Sequence, residues 1–312
     1  MRDAVAGDPL TGLKWTHKST RRLSAALLRR GFRASPNTIA RLLRDRSFSL
    51  RVCRKQLAEM GHQDRDRQIR YLVRLRRLYS ARGWPVISVD TKKKEWIGPF
   101  KNPGRSWRRQ PHAVLVHDFP EWSQGPAIPY GIYDLAHHDG LVVVGTSHDT
   151  PSFAVHAIHR WWRLVGQRRY PAASRLLIEA DGGGSNDCRK WEWKVALQGL
   201  ADQFGLVIVV THFPTGASKW NPIDHRMFSL ISANWSGEPL TSYEVVLKRI
   251  RATRSNTGFH CRACLDTAPY EPCHRVAPEA KANVRLQRRK FLPKWNYVIR
   301  PHAHPKPGSN YC

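Results

Sequence analysis

Three aspartates stand where side chains of different structural elements can meet and bind a hard metal ion. Asp90 ends the apolar stretch PVISVD, Asp181 follows the apolar stretch RLLIEA, and Asp224 lies in the first turn of a helix. Carboxylate oxygens are the ligands that Mg²⁺ and Mn²⁺ prefer. Two such ions about 4 Å apart can stabilise both the attacking and the leaving oxygen of a phosphodiester. The three acids therefore predict a site that cleaves or joins nucleic-acid strands.

Each of these acids also has a structural interpretation. Asp90 could only end its strand, and Asp181, which precedes three glycines, could form a turn. Asp224 follows Asn221 by three residues and could be the acid of a helix cap. Four other acids could replace one of the three as a ligand: Asp118, Asp134, Glu179 and Asp187.

Apolar stretches from Trp84 onward predict the elements that carry these acids. Several strands come first and then alternate with helices, which predicts a mixed α/β sheet with helices on its faces. The predicted strands are 85–90, 113–117, 128–135, 141–145, 175–180 and 206–210. Three helices are predicted among these strands. The first begins at Thr150, the second contains Trp193 and ends at Gly205, and the last begins at Asn221 and Pro222.

Two short helices joined by a turn precede the strands. Ser19 is a candidate N-cap of the first helix, which ends at Gly31, and Ser35 with Pro36 begins the second. This pattern predicts a helix-turn-helix that binds DNA, although an ordinary helical hairpin with a solvated basic face has the same pattern. The apolar side chains expected to face inward on the second helix are Ile39, Leu42 and Leu43. The candidate DNA-binding residues are Arg33, Asn37, Thr38, Arg41 and Arg44.

These patterns divide the chain into five segments. Residues 1–17 are a leader or linker, 18–52 the helix-turn-helix unit, and 53–83 a basic linker helix. Residues 84–301 are the catalytic domain, and 302–312 are a tail. The linker helix is expected to bury the stripe Ile69, Leu72, Leu75 and Tyr79.

The charge of the chain indicates a polyanionic partner. Its 312 residues contain 52 Lys and Arg but only 24 Asp and Glu, which gives a formal net charge of +28. No apolar run of about 18 residues and no signal peptide is present, so we expect a cytoplasmic protein without membrane contact. Lys92, Lys93 and Lys94, next to Asp90, are candidate contacts to DNA phosphates or a solvated charge run.

Six cysteines are too few for a disulfide framework in a chain of this length. Zinc binding by Cys261, Cys264, Cys273 and His274 is an alternative use of the C-terminal group. Their spacing matches no standard zinc finger, so we expect strand cleavage that needs Mg²⁺ or Mn²⁺ but no zinc.

Six longer motifs carry a resemblance to a known family. They are SVDTKKKEWIGPFKNPGRSW (88–107), HDFP…PYGIYDLA (117–136), HDTPSFAVHAI..WW (148–162), ADGGGSN (180–186), SKWNPIDHRMFS (218–229) and WNYVIRP (295–301). Together they resemble the Rhodopirellula-type DDE transposases of bacterial insertion sequences, from about Lys14 to Pro301.

The resemblance implies a ribonuclease H-like fold, related to the mariner superfamily, with the metal-binding triad at Asp90, Asp181 and Asp224. It implies two Mg²⁺ or Mn²⁺ ions, hydrolysis at the ends of the element, and attack of the resulting 3′-hydroxyl on target DNA. The implied partners are double-stranded DNA, as terminal inverted repeats and target, and further copies of the chain on that DNA. The implied location is a bacterial nucleoid.

The chain departs from the family pattern at three places. Asp224 stands where the family usually has Glu, although related mariner-type enzymes have Asp there. Thr215 and Ala217 replace the usual Pro and Thr. Met1 falls where the family has a linker after an earlier helix-turn-helix. Two alternatives therefore stay open: an idle, truncated remnant that acts as a DNA-binding regulator, and a ribonuclease H-like nuclease without strand transfer.

Overall fold

The computed structural model describes residues 6–7, 14–15, 19–49, 63–106, 108–115, 119–214, 216–272 and 275–302. The chain divides into two units, Met1–Glu59 and Met60–Cys312. None of the helices in these described ranges is long and apolar enough to cross a membrane.

The first unit contains the two helices that the sequence predicts. Its elements are the paired strands β1 (Ala6–Gly7) and β2 (Lys14–Trp15) and the helices α1 (Thr20–Leu28) and α2 (Pro36–Asp45). Ser19 and Ser35 cap α1 and α2. Each hydroxyl accepts a hydrogen bond from the backbone N–H of the residue three positions later, at 3.3 Å for Ser19 and 3.0 Å for Ser35. Leu23 and Ile39 are buried. The inward orientation expected for Leu42 is wrong, since this side chain is 52% exposed.

The helix α3 (Arg65–Ala81) belongs to the second unit and packs against its sheet. Leu72, Leu75 and Tyr79 of the predicted stripe are buried. Arg76 of α3 forms a 2.6 Å ion pair with Glu179, which is fully buried in the sheet. The helix is thereby fixed on the sheet by both apolar packing and a buried charge pair.

The second unit is built on one large mixed sheet. Its strands are β3 (Val86–Thr91), β4 (Glu95–Trp96), β5 (Pro126–Asp134), β6 (Asp139–Gly145), β7 (Arg175–Ala180), β8 (Val207–His212), β9 (His260–Asp266), β10 (Leu286–Arg288) and β11 (Asn296–Ile299). The order is β10-β11-β8-β7-β3-β5-β6-β9, and β4 pairs with β5. In its centre, β5 is antiparallel to β3 and β6, whereas β7 and β8 are parallel to β3. This central order is the ribonuclease H-like arrangement that the resemblance implies.

Helices cover both faces of the sheet. They are α4 (Pro151–Trp161), α5 (Gln167–Arg169), α6 (Trp191–Phe204), α7 (Ser229–Asn234), α8 (Tyr243–Arg251) and α9 (Pro278–Ala282), with π-helical segments at Trp162–Gly166 and Asp224–Phe228. One face packs against α4 and α6. The opposite face packs against α3, α7 and α8.

The structure corrects the predicted elements at two places. Residues 113–115 form no strand, and the rest of the predicted strand 113–117 lies outside the described residues. The helix that begins at Pro222 is not the last, because α8, β9, α9, β10 and β11 follow it. The sequence does not predict the strands between residues 260 and 299. These strands are short or contain basic residues, so apolar and polar side chains do not alternate regularly along them.

Candidate active site

Asp90 and Asp181 lie side by side at the carboxyl ends of neighbouring parallel strands. β3 pairs with β7 so that Val89 is opposite Ala180, which places Asp90 and Asp181 next in register. Successive residues of a strand point to opposite faces, so both aspartates project on the face that carries Ser88 and Glu179. The sheet therefore brings together two of the three predicted ligands.

Asn221 connects the helix that carries Asp224 to Asp90. Asn221 is 1% exposed, and its Nδ2 donates to Oδ2 of Asp90 at 2.9 Å. Its side-chain amide also opposes the rise that burial causes in the pKa of Asp224. Its Oδ1 accepts a 2.9 Å hydrogen bond from the hydroxyl of Ser88. The sequence predicts that Asn221 begins a helix. Its buried side chain also contacts the active-site acid Asp90.

The three carboxylates act on one another electrostatically. Burial, followed by repulsion from Asp181 and Asp224, holds the pKa of Asp90 well above its usual range. Burial also raises the pKa of Asp181, and repulsion from Asp224 raises it further. The pKa of Asp224 is raised by burial. Removing the proton from such a group is costly unless a cation is near. The arrangement is thus electrostatically suited to a divalent cation, and its oxygen donors suit a hard one.

These acids do not form a closed ligand cage. Within the described ranges, no group of three or more His, Cys, Asp and Glu side chains is arranged to hold a metal ion. Asp90 and Asp181 line a cavity of about 400 Å³, and Asp224 is not among the described residues that line it.

A hydrogen-bonded chain on the other face of the sheet holds the backbone of Asp181. Nδ1 of His212 lies 2.7 Å from the carbonyl oxygen of Asp181, and its Nε2 lies 2.9 Å from the hydroxyl of Tyr297. The indole of Trp193 donates to that hydroxyl at 2.8 Å. Burial lowers the pKa of His212 to about 4, so its ring is neutral at neutral pH. Nδ1 then donates to Asp181 while Nε2 accepts from Tyr297.

Asp149 is a third acid that lines the cavity, and sequence reasoning missed it. It lines the cavity beside Asp90 and Asp181. Thr91 donates a 3.0 Å hydrogen bond to its carboxylate, and the hydroxyl of Ser185 lies 3.2 Å from that of Thr91. Burial raises its pKa. The sequence signal that points to Asp149 is its place in the motif HDTP. Because Asp149 directly precedes the helix cap Thr150, local pattern assigns it to the start of a helix and not to the site.

The alternative acids are engaged elsewhere. Asp134 pairs with Arg169 at 2.8 Å, Glu179 pairs with Arg76, and Asp187 pairs with Arg189 at 2.7 Å. Asp118 lies outside the described residues.

The three lysines after Asp90 differ in their surroundings. Lys92 is buried, pairs with Glu95 at 3.2 Å, and has its ammonium 4.3 Å from the ring centre of Trp235. Lys93 and Lys94 are exposed, and all three line the cavity. Only the two exposed ammonium groups are arranged to meet a large anion from solvent.

The candidate DNA-binding residues of the first unit lie on its surface. Arg33, Asn37, Arg41 and Arg44 are exposed. Thr38 is half-buried, and its hydroxyl lies 2.8 Å from that of Ser35. Thr38 therefore contributes to the helix cap.

The cysteine pair of β9 is divided between the faces of the sheet. Cys261 packs with the residues under α7 and α8, whereas Cys264 packs with those under α4. Residues three apart in a strand point to opposite faces, so these two thiols cannot share one ion. Cys273 and His274 lie outside the described residues.

Comparison with known proteins identifies related sequences and folds. A model of the Rhodopirellula transposase DDE domain matches residues 1–301. No curated protein matches the chain. A Mos1 transposase paired-end complex with left transposon end is 14% identical over 74% of this chain and 65% of that chain, with a TM-score of 0.44. A pre-cleavage Mos1 transpososome is 16% identical over the same shares, with a TM-score of 0.45. The chain thus spans about 65% of the length of these solved chains.

Proposed function

The chain belongs to the Rhodopirellula transposase DDE domain family. We propose that it is a transposase that cleaves the phosphodiester at each end of a DNA element and joins the resulting ends to target DNA. The observation that carries this proposal is that β3 and β7 place Asp90 beside Asp181, while Asn221, at the start of the helix that contains Asp224, hydrogen-bonds Asp90. These acids come from two strands and a helix, and their repulsion is costly unless a cation offsets it.

In this proposal the three carboxylates hold two Mg²⁺ or Mn²⁺ ions. Such ions polarise the scissile phosphate and lower the pKa of the attacking water or hydroxyl. Asn221 fixes the orientation of Asp90 and favours the charged form of Asp224, and His212 fixes the backbone of Asp181. Lys93 and Lys94 at the cavity hold phosphates of the DNA strand. Arg33, Asn37, Arg41 and Arg44 of the first unit bind the duplex separately.

The test is strand cleavage by the full chain on duplex DNA taken from both sides of its gene, with Mn²⁺ or Mg²⁺. We expect Asp90→Asn and Asp181→Asn to lower cleavage by orders of magnitude, because each removes a negative ligand. The matched control is Glu279→Gln, at an exposed acid in the first turn of α9. Cleavage by Asp90→Asn at the wild-type rate would contradict the proposal.

Metal binding gives a second readout that does not depend on cleavage. The electron paramagnetic resonance signal of free Mn²⁺ should fall on addition of wild-type protein and less on addition of Asp90→Asn. A wild-type protein that binds neither Mn²⁺ nor Mg²⁺ but does bind DNA would favour the regulator. Cleavage without joining to a supplied target plasmid would favour the nuclease.

A further inference from the structure

Lys194 is a buried cation that forms no ion pair with the described residues. The residue is 2% exposed, and its ammonium lies 5.0 Å from the ring centre of Trp191 and 6.0 Å from that of Tyr297. In the part of the chain that the structure describes, it has no carboxylate at ion-pair distance and no hydrogen-bond acceptor. Burial, with repulsion from Arg288, lowers its pKa, although attraction from Asp187 opposes this effect. A buried charge of this kind destabilises the fold unless a partner of opposite charge binds to it.

Lys194 lines a cavity that is strongly basic, which we call the basic cavity. Its volume is about 500 Å³, and the other cations that line it are Arg189, Arg288 and Lys294. Trp191 and Trp295 form its apolar walls. Among the described residues, no acidic side chain lines it, although Arg189 also pairs with Asp187. Apolar walls reduce the screening by water, so an anion in the basic cavity would be attracted strongly.

The first turn of α6 adds a further positive end to the basic cavity. The 14-residue helix begins at Trp191 and contributes Trp191 and Lys194 to the lining. The N-cap residue Lys190 makes no side-chain hydrogen bond to this turn, and the acid of the turn, Glu192, accepts a hydrogen bond from Ser152. The N-terminal N–H groups and the helix dipole favour a negative group at this position.

The basic cavity adjoins the proposed active site through one loop. Gly182 lines the basic cavity, while its neighbours Asp181 and Gly183 line the cavity that contains Asp90. Tyr297, which faces Lys194, also bonds His212, which holds the backbone of Asp181. A DNA strand at the acidic cavity would therefore pass close to the basic cavity.

We propose that the basic cavity binds a backbone phosphate of the DNA strand that is held at the active site, with Lys194 as its central contact. This proposal rests on the proposed function, which supplies the DNA. A phosphodiester matches the site because it carries one full negative charge and can approach both the ammonium and the helix N-terminus.

The first test measures binding of a fluorescein-labelled single-stranded oligothymidylate by the full chain in EDTA, at several salt concentrations. Lys194→Met should weaken binding about tenfold and reduce the slope of log affinity against log salt by about 0.7. Lys248→Met, at an exposed lysine of α8, removes the same charge and should change affinity less than about twofold. Equal effects of the two substitutions would overturn the proposal.

The second test separates a DNA phosphate from a free anion and checks the fold. Without phosphate, Lys194→Met should unfold at a higher temperature than wild type, because an unpaired buried charge is gone. Inorganic phosphate should raise the unfolding temperature of wild type but not of Lys194→Met. Stabilisation by phosphate combined with unchanged oligonucleotide binding would show a free-anion site and overturn the proposal. Asp90→Asn removes a carboxylate beside the strand and should bind the oligonucleotide in EDTA at least as tightly as wild type, so failure of cleavage chemistry and failure of this site give different results.

Discussion

The side-chain amide of Asn221 donates a 2.9 Å hydrogen bond to Oδ2 of Asp90, although 131 positions separate the two residues in the chain. The same side chain accepts a hydrogen bond from the buried hydroxyl of Ser88 and opposes the rise that burial causes in the pKa of Asp224. One amide thus orients one proposed metal ligand, favours the charged form of a second, and satisfies a buried polar group in β3.

Replacement of this amide tests its positioning role. Asn221→Ala should lower Mn²⁺-supported cleavage by about 10- to 100-fold, because Asp90 loses its donor and Asp224 loses the amide that favours its charged form. The free energy of unfolding should fall by about 1–3 kcal/mol, since Ser88 loses its acceptor. Cleavage rates and chemical denaturation measure the two effects, and Asn283→Ala, at an exposed amide after α9, is the control. A variant that loses stability but cleaves at the wild-type rate would exclude positioning.

The sequence predicts the parts of this site that depend on local pattern. The strand RLLIEA coincides with β7, and Gly205 ends α6 in the left-handed conformation, with φ of 62°. The roles of Asn221 and Asp149 could not be predicted in the same way. Asn221 has the pattern of a helix cap, and Asp149 precedes one, so only the packing of distant elements shows that both side chains turn to the site. Local pattern predicts elements, whereas long-range contacts decide which polar groups meet.

Arg41 and Arg44 test the predicted DNA-binding unit. Both are exposed on α2, so Arg41→Ala with Arg44→Ala should weaken duplex binding without unfolding the unit. If each contacts one phosphate, the slope of log affinity against log salt should fall by about 1.8. Fluorescence anisotropy with labelled duplex measures this, and the exposed pair Arg163 and Arg168, changed to Ala, is the matched control. Equal losses in both double variants would mean that general charge alone is responsible.

His212 should make stability depend on pH. Burial lowers its folded-state pKa to about 4, below the value of about 6.5 in an unfolded chain. Because the unfolded chain binds the proton more readily, the stability from neutral His212 is complete above about pH 6.5 and is lost as the pH falls towards 4. The loss is about 3 kcal/mol. Denaturation of wild type and His212→Asn across this range should show a flatter dependence in the variant. Parallel curves for wild type and His212→Asn would assign the titration to other groups.

Asp224 is the proposed metal ligand that has the most specific alternative role, namely that of a helix cap. It begins the π-helical segment Asp224–Phe228, and burial raises its pKa. As a simple helix cap, Asp224→Asn should cost at most about 1 kcal/mol of stability and leave cleavage nearly intact. If Asp224 is a metal ligand, Asp224→Asn removes the charge that holds an ion, so cleavage should fall by orders of magnitude while folding and DNA binding persist.

Asp224→Glu keeps the charge on a side chain one methylene longer and should retain measurable cleavage, because a small shift of the helix restores the ligand position. Mn²⁺-supported cleavage of the gene-flanking duplex compares these variants with Asp90→Asn and Asp181→Asn. Near-normal cleavage by Asp224→Asn would show that the third ligand is another residue.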